Sequence, residues 1–232
     1  MTNEKAIFPF YKELNNKVQL EEFIIDKSGV KVVELMAPRM ILNPQQKYLN
    51  FVGRKSPIKY IAQEDEWYMS HELKINKVNN ITIWQNVSDT NNEINSNYGN
   101  LVFSRNNYSQ FTNVVNTLEK HKESRQGIII YTRPSIHYEW NSLEAGDFIC
   151  TNYQQFFIRD NKLCCITSMR SCDGWFGAFN DIPWFHTVIQ KMYDKLKLIY
   201  PELGYGDHIF IPNSFHIYER HFDKLKELVQ NN

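Results

Sequence analysis

Residues 148–173 read FICTNYQQFFIRDNKLCCITSMRSCD and hold two β-prone runs, 148–158 and 163–169, closed by an Arg-Ser-Cys-Asp tetrapeptide. Aromatic and β-branched residues dominate the first run, as a pleated, half-buried surface favours. Just upstream, 127–132 (GIIIYT) is an unbroken β-branched stretch, the pattern of a strand covered on both faces. Downstream, Trp184, Phe185, Val188, Ile189, Met192, Leu196 and Ile199 recur at helical spacing along a wide stripe that Pro201 and Gly204 terminate. A strand at 208–211 and a short helix ending in ELVQNN follow, and strands and helices mixed in this way predict an α+β fold. Towards the N-terminus, Phe23-Ile24-Ile25 and Val30, Val32 and Val33 flank the turn Asp26-Lys27-Ser28-Gly29, which predicts a hairpin with Lys27 at its tip. Helices are expected from Pro57 to about Leu73, on Ile58, Ile61, Trp67 and Met69, and around Phe111, Val114, Val115 and Leu118, both lying on a sheet. The Asn-dotted stretch 79–100 reads as a long polar loop.

The chain has 232 residues, 42% of them apolar, enough for one sizeable core, so a single domain over 1–232 is expected. Lys+Arg and Asp+Glu balance at 26 each, so no global field attracts nucleic acid or an anionic membrane, and an anionic ligand must be held locally. No run approaches the ~20 apolar residues of a spanning helix, and MTNEKAIFPFYKEL lacks the basic start and apolar core of a signal peptide. A cytoplasmic protein is expected. Cys150, Cys164, Cys165 and Cys172 crowd together without a CxxC pair, which fits neither a disulfide framework nor a metal site and predicts reduced thiols.

Cys150 follows a Gly-Asp turn in a strand-like segment, and Arg170-Ser171 lies twenty positions on; a nearby arginine favours thiolate. On its own, such a cysteine is more often an inert buried thiol. The segments EINSNYG, SRQGIIIYTRPS, DFICTNYQQFFIRDNKL, MRSCDGWFGAFND and FHIYERHF, in this order and spacing, resemble the thymidylate synthase family from about residue 23 to the C-terminus. The resemblance implies a three-layer α+β fold with a large bent mixed sheet that forms a homodimer interface. It also implies transfer of a one-carbon unit from 5,10-methylenetetrahydrofolate to C5 of a pyrimidine nucleotide. C5 is a poor nucleophile until a thiolate adds at C6, and Cys150 matches that thiolate. Glu64 of QEDEWY matches the glutamate that orders water and relays protons, with burial near a closed pocket raising its pKa toward neutral; Glu66 reads as surface.

Asp181 stands where synthases carry the asparagine that reads uracil. A carboxylate only accepts, which suits the exocyclic amine of cytosine and implies dCMP as substrate; the adjacent Asn180 keeps a one-residue shift open. Lys27, Arg125, Arg170 and Ser171 match phosphate contacts, with Arg125 crossing the dimer and Gln126 replacing a second arginine. His216 and Tyr218 match the pair on the sugar 3′-hydroxyl. Tyr98 and Asn152 are plausible pocket members, and Trp84 and Asp173 match positions near folate. The implied product is 5-hydroxymethyl-dCMP, formed by water addition; a methyl-forming or ribonucleotide-specific relative, or a non-enzymatic nucleotide-binding one, are the alternatives. His137-Tyr138-Glu139 spells half of a zinc deaminase signature whose Pro-Cys-x-x-Cys half is missing.

Overall fold

The computed structural model describes residues 1–75, 82–142 and 146–232. In chain order the elements are α1 (Asn3–Gln19), β1 (Ile24–Ile25), β2 (Lys31–Met36), β3 (Met40–Leu42), β4 (Asn50–Phe51), β5 (Arg54–Lys55), α2 (Ile58–Ser70), α3 (Thr82–Val87), α4 (Tyr98–Phe103), α5 (Gln110–Lys120), β6 (Ile128–Ile130), α6 (Ile136–Ser142), β7 (Thr151–Arg159), β8 (Lys162–Met169), β9 (Cys172–Asp173), α7 (Gly177–Ile199), β10 (Gly204–Pro212), β11 (Ser214–Tyr218) and α8 (Phe222–Asn231). The β7–β8 hairpin closes on Asp160 and Asn161, both in the left-handed region at φ 49° and 54°. These short polar residues tolerate that conformation, and its twist matches the flanking strands.

Two sheets run in the orders β3-β10-β8-β7-β6 and β1-β2-β11-β9, with β10 parallel to β8 and β11 parallel to β9. Three strand pairs continue from one into the other: β2 into β3, β8 into β9 and β10 into β11. At the bend, the Ala37 N–H donates to the Asn213 carbonyl at 2.9 Å and the Asn213 N–H to the Met169 carbonyl at 2.7 Å, so the ladder carries across. The result is one bent mixed sheet in an α+β architecture, with Arg170 and Ser171 at the fold line.

Helix α7 supplies the largest apolar face, with Phe179, Ile182, Phe185, Val188, Met192 and Leu196 fully buried. It starts at Gly177, well before the stripe that begins at Trp184, so Asn180 and Asp181 are helical. Pro183 has no N–H to offer the Phe179 carbonyl one turn back; the Ser56 hydroxyl donates to that carbonyl instead, at 3.1 Å. The opposite face of the sheet leaves Met36, Ile41 and Ile130 exposed.

The N-terminal hairpin forms as expected, as do α2, α5 and the C-terminal helix. Three expectations are corrected. Helix α1 has no counterpart in the sequence reading; Ile7, Tyr11 and Leu14 are fully buried along it. The stretch 79–100 contains α3 and the start of α4, while its first residues fall among 76–81, outside the described residues. And α5 packs on β6 and β7, but α2 packs on α4 and α7. Its buried face is Ile61, Glu64, Trp67 and Tyr68, with Ile58 and Met69 exposed. No helix among the described residues is long and apolar enough to cross a membrane.

Candidate active site

The bend brings Arg170 onto the segment preceding β7. Its backbone N–H donates to the Cys150 carbonyl at 2.8 Å. Its side chain donates to the Phe148 carbonyl at 2.6 Å and the Ile149 carbonyl at 3.0 Å, and Nη2 lies 3.5 Å from Cys150 Sγ. The guanidinium also sits 4.7 Å over the Phe148 ring. Cys150 is therefore fixed by its own arginine, but that arginine spends its short hydrogen bonds on carbonyls. Burial pushes the thiol up to about 11, with Asp181 and Asp147 adding to the rise and Arg170 and Lys27 opposing it. At the sulfur, desolvation outweighs the charge and hydrogen bond of Arg170, which shifts the balance from thiolate toward thiol.

Two carboxyl groups face this thiol's surroundings. Glu64, 8% exposed in the middle of the apolar face of α2, accepts from the Tyr60 hydroxyl at 2.7 Å. Burial pushes it up to about 8, and the Asp181 charge adds to the rise. Asp181, near the start of α7, is pushed up to about 7 by burial and by the Asp173 charge. Two acids of this kind hold protons near neutrality and can both give and take them. Gly177, one turn before Asp181, leaves that carboxylate its space: a Cβ there would sit 3.1 Å from Oδ2. Asn180 Oδ1 is buried without a hydrogen-bond partner among the described residues.

Aromatic rings wall this cluster. The Tyr98 hydroxyl accepts from Thr151 at 2.9 Å, its ring stacks on Tyr68 at 5.4 Å, and it lies in the field of Asp181 and Cys150. Gly99 makes that stack possible, since a Cβ there would fall 1.8 Å from the Tyr68 carbonyl oxygen. Trp84 packs on Trp67 at 5.0 Å and lies near Tyr60. Asp173 accepts from the N–H groups of Trp175 and Phe176 at 2.8 and 3.2 Å and pairs with Arg220 at 3.6 Å. Beside it opens a cleft of about 360 Å³ lined by Arg54, Trp175, Phe176 and Lys224. On β11, His216 and Tyr218 lie on one face with rings 5.1 Å apart. Burial pushes His216 down despite the nearby Asp173, Glu34 and Asp26. Lys27 sits 4.3 Å over the Trp140 ring, close enough to act on Cys150.

Cys150, Glu64, Asp181, Arg170, Tyr98 and Asp173 thus converge, with Lys27, His216 and Tyr218 on the margin. Arg125 is exposed, and its backbone carbonyl accepts from Gln155. The Asn152 amide donates to Ser168 Oγ at 3.2 Å, and Ser171 is half-buried at the bend. The deaminase alternative loses its residues to other partners: His137 packs on Phe148 at 5.3 Å and Glu139 pairs with Arg133. Among the described residues no group of His, Cys, Asp and Glu is arranged to hold a metal ion.

The sequence reading missed Tyr60 and Asp147, whose buried carboxylate accepts from the Ser96 hydroxyl at 2.8 Å. Tyr60 was findable, since it lies four residues before Glu64 on a helix and shares its face.

A thymidylate synthase family profile matches residues 11–232. The deoxycytidylate 5-hydroxymethyltransferases of Enterobacteria phage T6 and Enterobacteria phage T4 are 37% and 36% identical to the chain over 206 residues, which is 87% of this chain and 82% of each relative. With the bent mixed sheet and a cysteine held by arginine at its fold line, a match over nearly the whole length places the chain in the thymidylate synthase family.

Proposed function

We propose that the protein hydroxymethylates dCMP at C5, with 5,10-methylenetetrahydrofolate as co-substrate, as the names of its phage relatives suggest. The observation that carries this reading is Asp181: a carboxyl in the Cys150–Glu64 cluster where a uracil reader needs an amide. Its oxygens accept from the exocyclic amine of cytosine, and its raised proton affinity lets it hold a proton on the ring nitrogen as charge develops.

Cys150 Sγ adds to C6 as its proton passes to the ring nitrogen that Asp181 faces, which makes C5 an enamine-like nucleophile, and the sulfur leaves C6 again once the new group is complete. When bound, the folate supplies the one-carbon unit. Glu64, ionised in part near neutrality, takes the proton of the water that completes the CH2OH group. Arg170, Ser171 and Lys27 meet the nucleotide phosphate, His216 and Tyr218 the 3′-hydroxyl, and Tyr98 and Asn152 complete the nucleotide pocket. The residues near the cluster fit the folate: Trp84 offers a flat aromatic surface beside Glu64, and the cleft next to Asp173 combines aromatic rings with Arg54 and Lys224. The exposed Arg125 serves the partner's phosphate site in a homodimer packed through the apolar outer face of the sheet, where Met36, Ile41 and Ile130 lie. The enzyme acts in the cytoplasm, without binding nucleic acid directly.

The test incubates the protein with methylenetetrahydrofolate and each of dCMP, CMP and dUMP, then identifies the nucleotide product by mass. 5-Hydroxymethyl-dCMP carrying oxygen from labelled water, with tetrahydrofolate released, is the expected result. A methylated product with stoichiometric dihydrofolate would move the protein to the methyl-forming branch.

A further inference from the structure

Glu64 takes a side-chain hydrogen bond from its own helix. Tyr60 stands one turn earlier on α2 and donates its hydroxyl proton to Glu64 Oε1 at 2.7 Å. Burial and the neighbouring Glu64 charge push the Tyr60 phenol far above its ordinary range, so it remains a donor at every working pH. Glu64 Oε2 accepts no hydrogen bond among the described residues, which leaves that oxygen for a ligand or a water.

We propose that Tyr60 is a positioning residue for Glu64, committing Oε1 so that Oε2 faces the reacting centre. The proposal rests on the reading of Glu64 as the base. The same hydrogen bond opposes burial, since a donor to a carboxylate stabilises its ionised form. Losing it raises the Glu64 midpoint further and leaves the carboxyl free to rotate.

The experiment uses Tyr60→Phe, which keeps the ring and removes the donor. In the nucleotide-free protein the Glu64 carboxyl is titrated by difference infrared spectroscopy, its band assigned by its loss in Glu64→Gln. The midpoint is expected to rise by about one to two pH units, the worth of a charge-assisted hydrogen bond. The acid limb of the kcat profile should move by the same amount, with KM for dCMP unchanged. Where Tyr60→Phe does not fold, a fluorinated tyrosine at position 60, a stronger donor of nearly the same shape, should lower the midpoint. A folded Tyr60→Phe protein with an unmoved Glu64 midpoint, or a fluorotyrosine protein without a downward shift, overturns the proposal. A shifted midpoint with an unmoved kcat limb supports the positioning of Glu64 by Tyr60 and overturns Glu64 as the base, so the two readings fail separately.

Discussion

Glu64→Gln should trade activity for stability, with a pH dependence set by the site. The Glu64 carboxyl moves from an ordinary value of 4.5 to about 8 in the folded protein, chiefly by burial. A folded-state value raised in this way means that the native protein binds the proton more tightly than the unfolded chain. The associated stability is complete below about pH 4.5 and is lost as pH rises toward 8. One proton costs about 1.4 kcal/mol per pH unit, so between pH 5 and 7.5 the wild type should lose about 3 kcal/mol that the glutamine variant keeps. The glutamine oxygen still accepts from Tyr60. Its new amide donors, if left unpaired, cost about 1–3 kcal/mol at every pH. The variant should therefore be less stable than wild type at pH 5 and equal or more stable at pH 7.5. For a chain of this length, the change in the difference corresponds to about 6–12 °C in Tm. Urea unfolding of both proteins at one protein concentration and the two pH values measures it. A stability difference that does not change with pH would refute the burial argument for Glu64.

Cys150→Ala should lower kcat by several orders of magnitude while dCMP binding, followed by calorimetry, persists; product formation at a rate near wild type would sink covalent activation at C6. Asp181→Asn should shift the ratio of specificity constants toward dUMP by roughly 5- to 150-fold, the cost of about 1 to 3 kcal/mol for a mispaired buried edge. An unchanged ratio would transfer base reading to Asn180, whose buried Oδ1 lacks a partner. Mixed Cys150→Ala and Arg125→Ala proteins should regain activity through hybrid dimers that hold one intact site, and no rescue after proven subunit exchange would count against a shared site.

The sequence alone determined the parts whose information is local. The β7–β8 runs, the stripe of α7 and the β1–β2 turn were legible because side chains alternate every two residues along a strand and return every 3.6 along a helix. The family was legible because its motifs keep order and spacing along the chain. Helix α1 was not, although Ile7, Tyr11 and Leu14 share one face: Pro9 interrupts the pattern, and only packing against β2, β3 and α8 shows that the helix tolerates it. Nor could spacing show that Ile58 and Met69 face solvent while Glu64 takes an apolar position, since that choice depends on where α4 and α7 lie. The protonation of the site was decided by tertiary structure throughout. Arg170 beside Cys150 reads as a thiolate maker in one dimension, but the bend aims its donors at the Phe148 and Ile149 carbonyls and burial wins at the sulfur. Sequence names the ionisable groups; the dielectric around each, and which oxygen of Glu64 Tyr60 occupies, exist only once distant segments close over them.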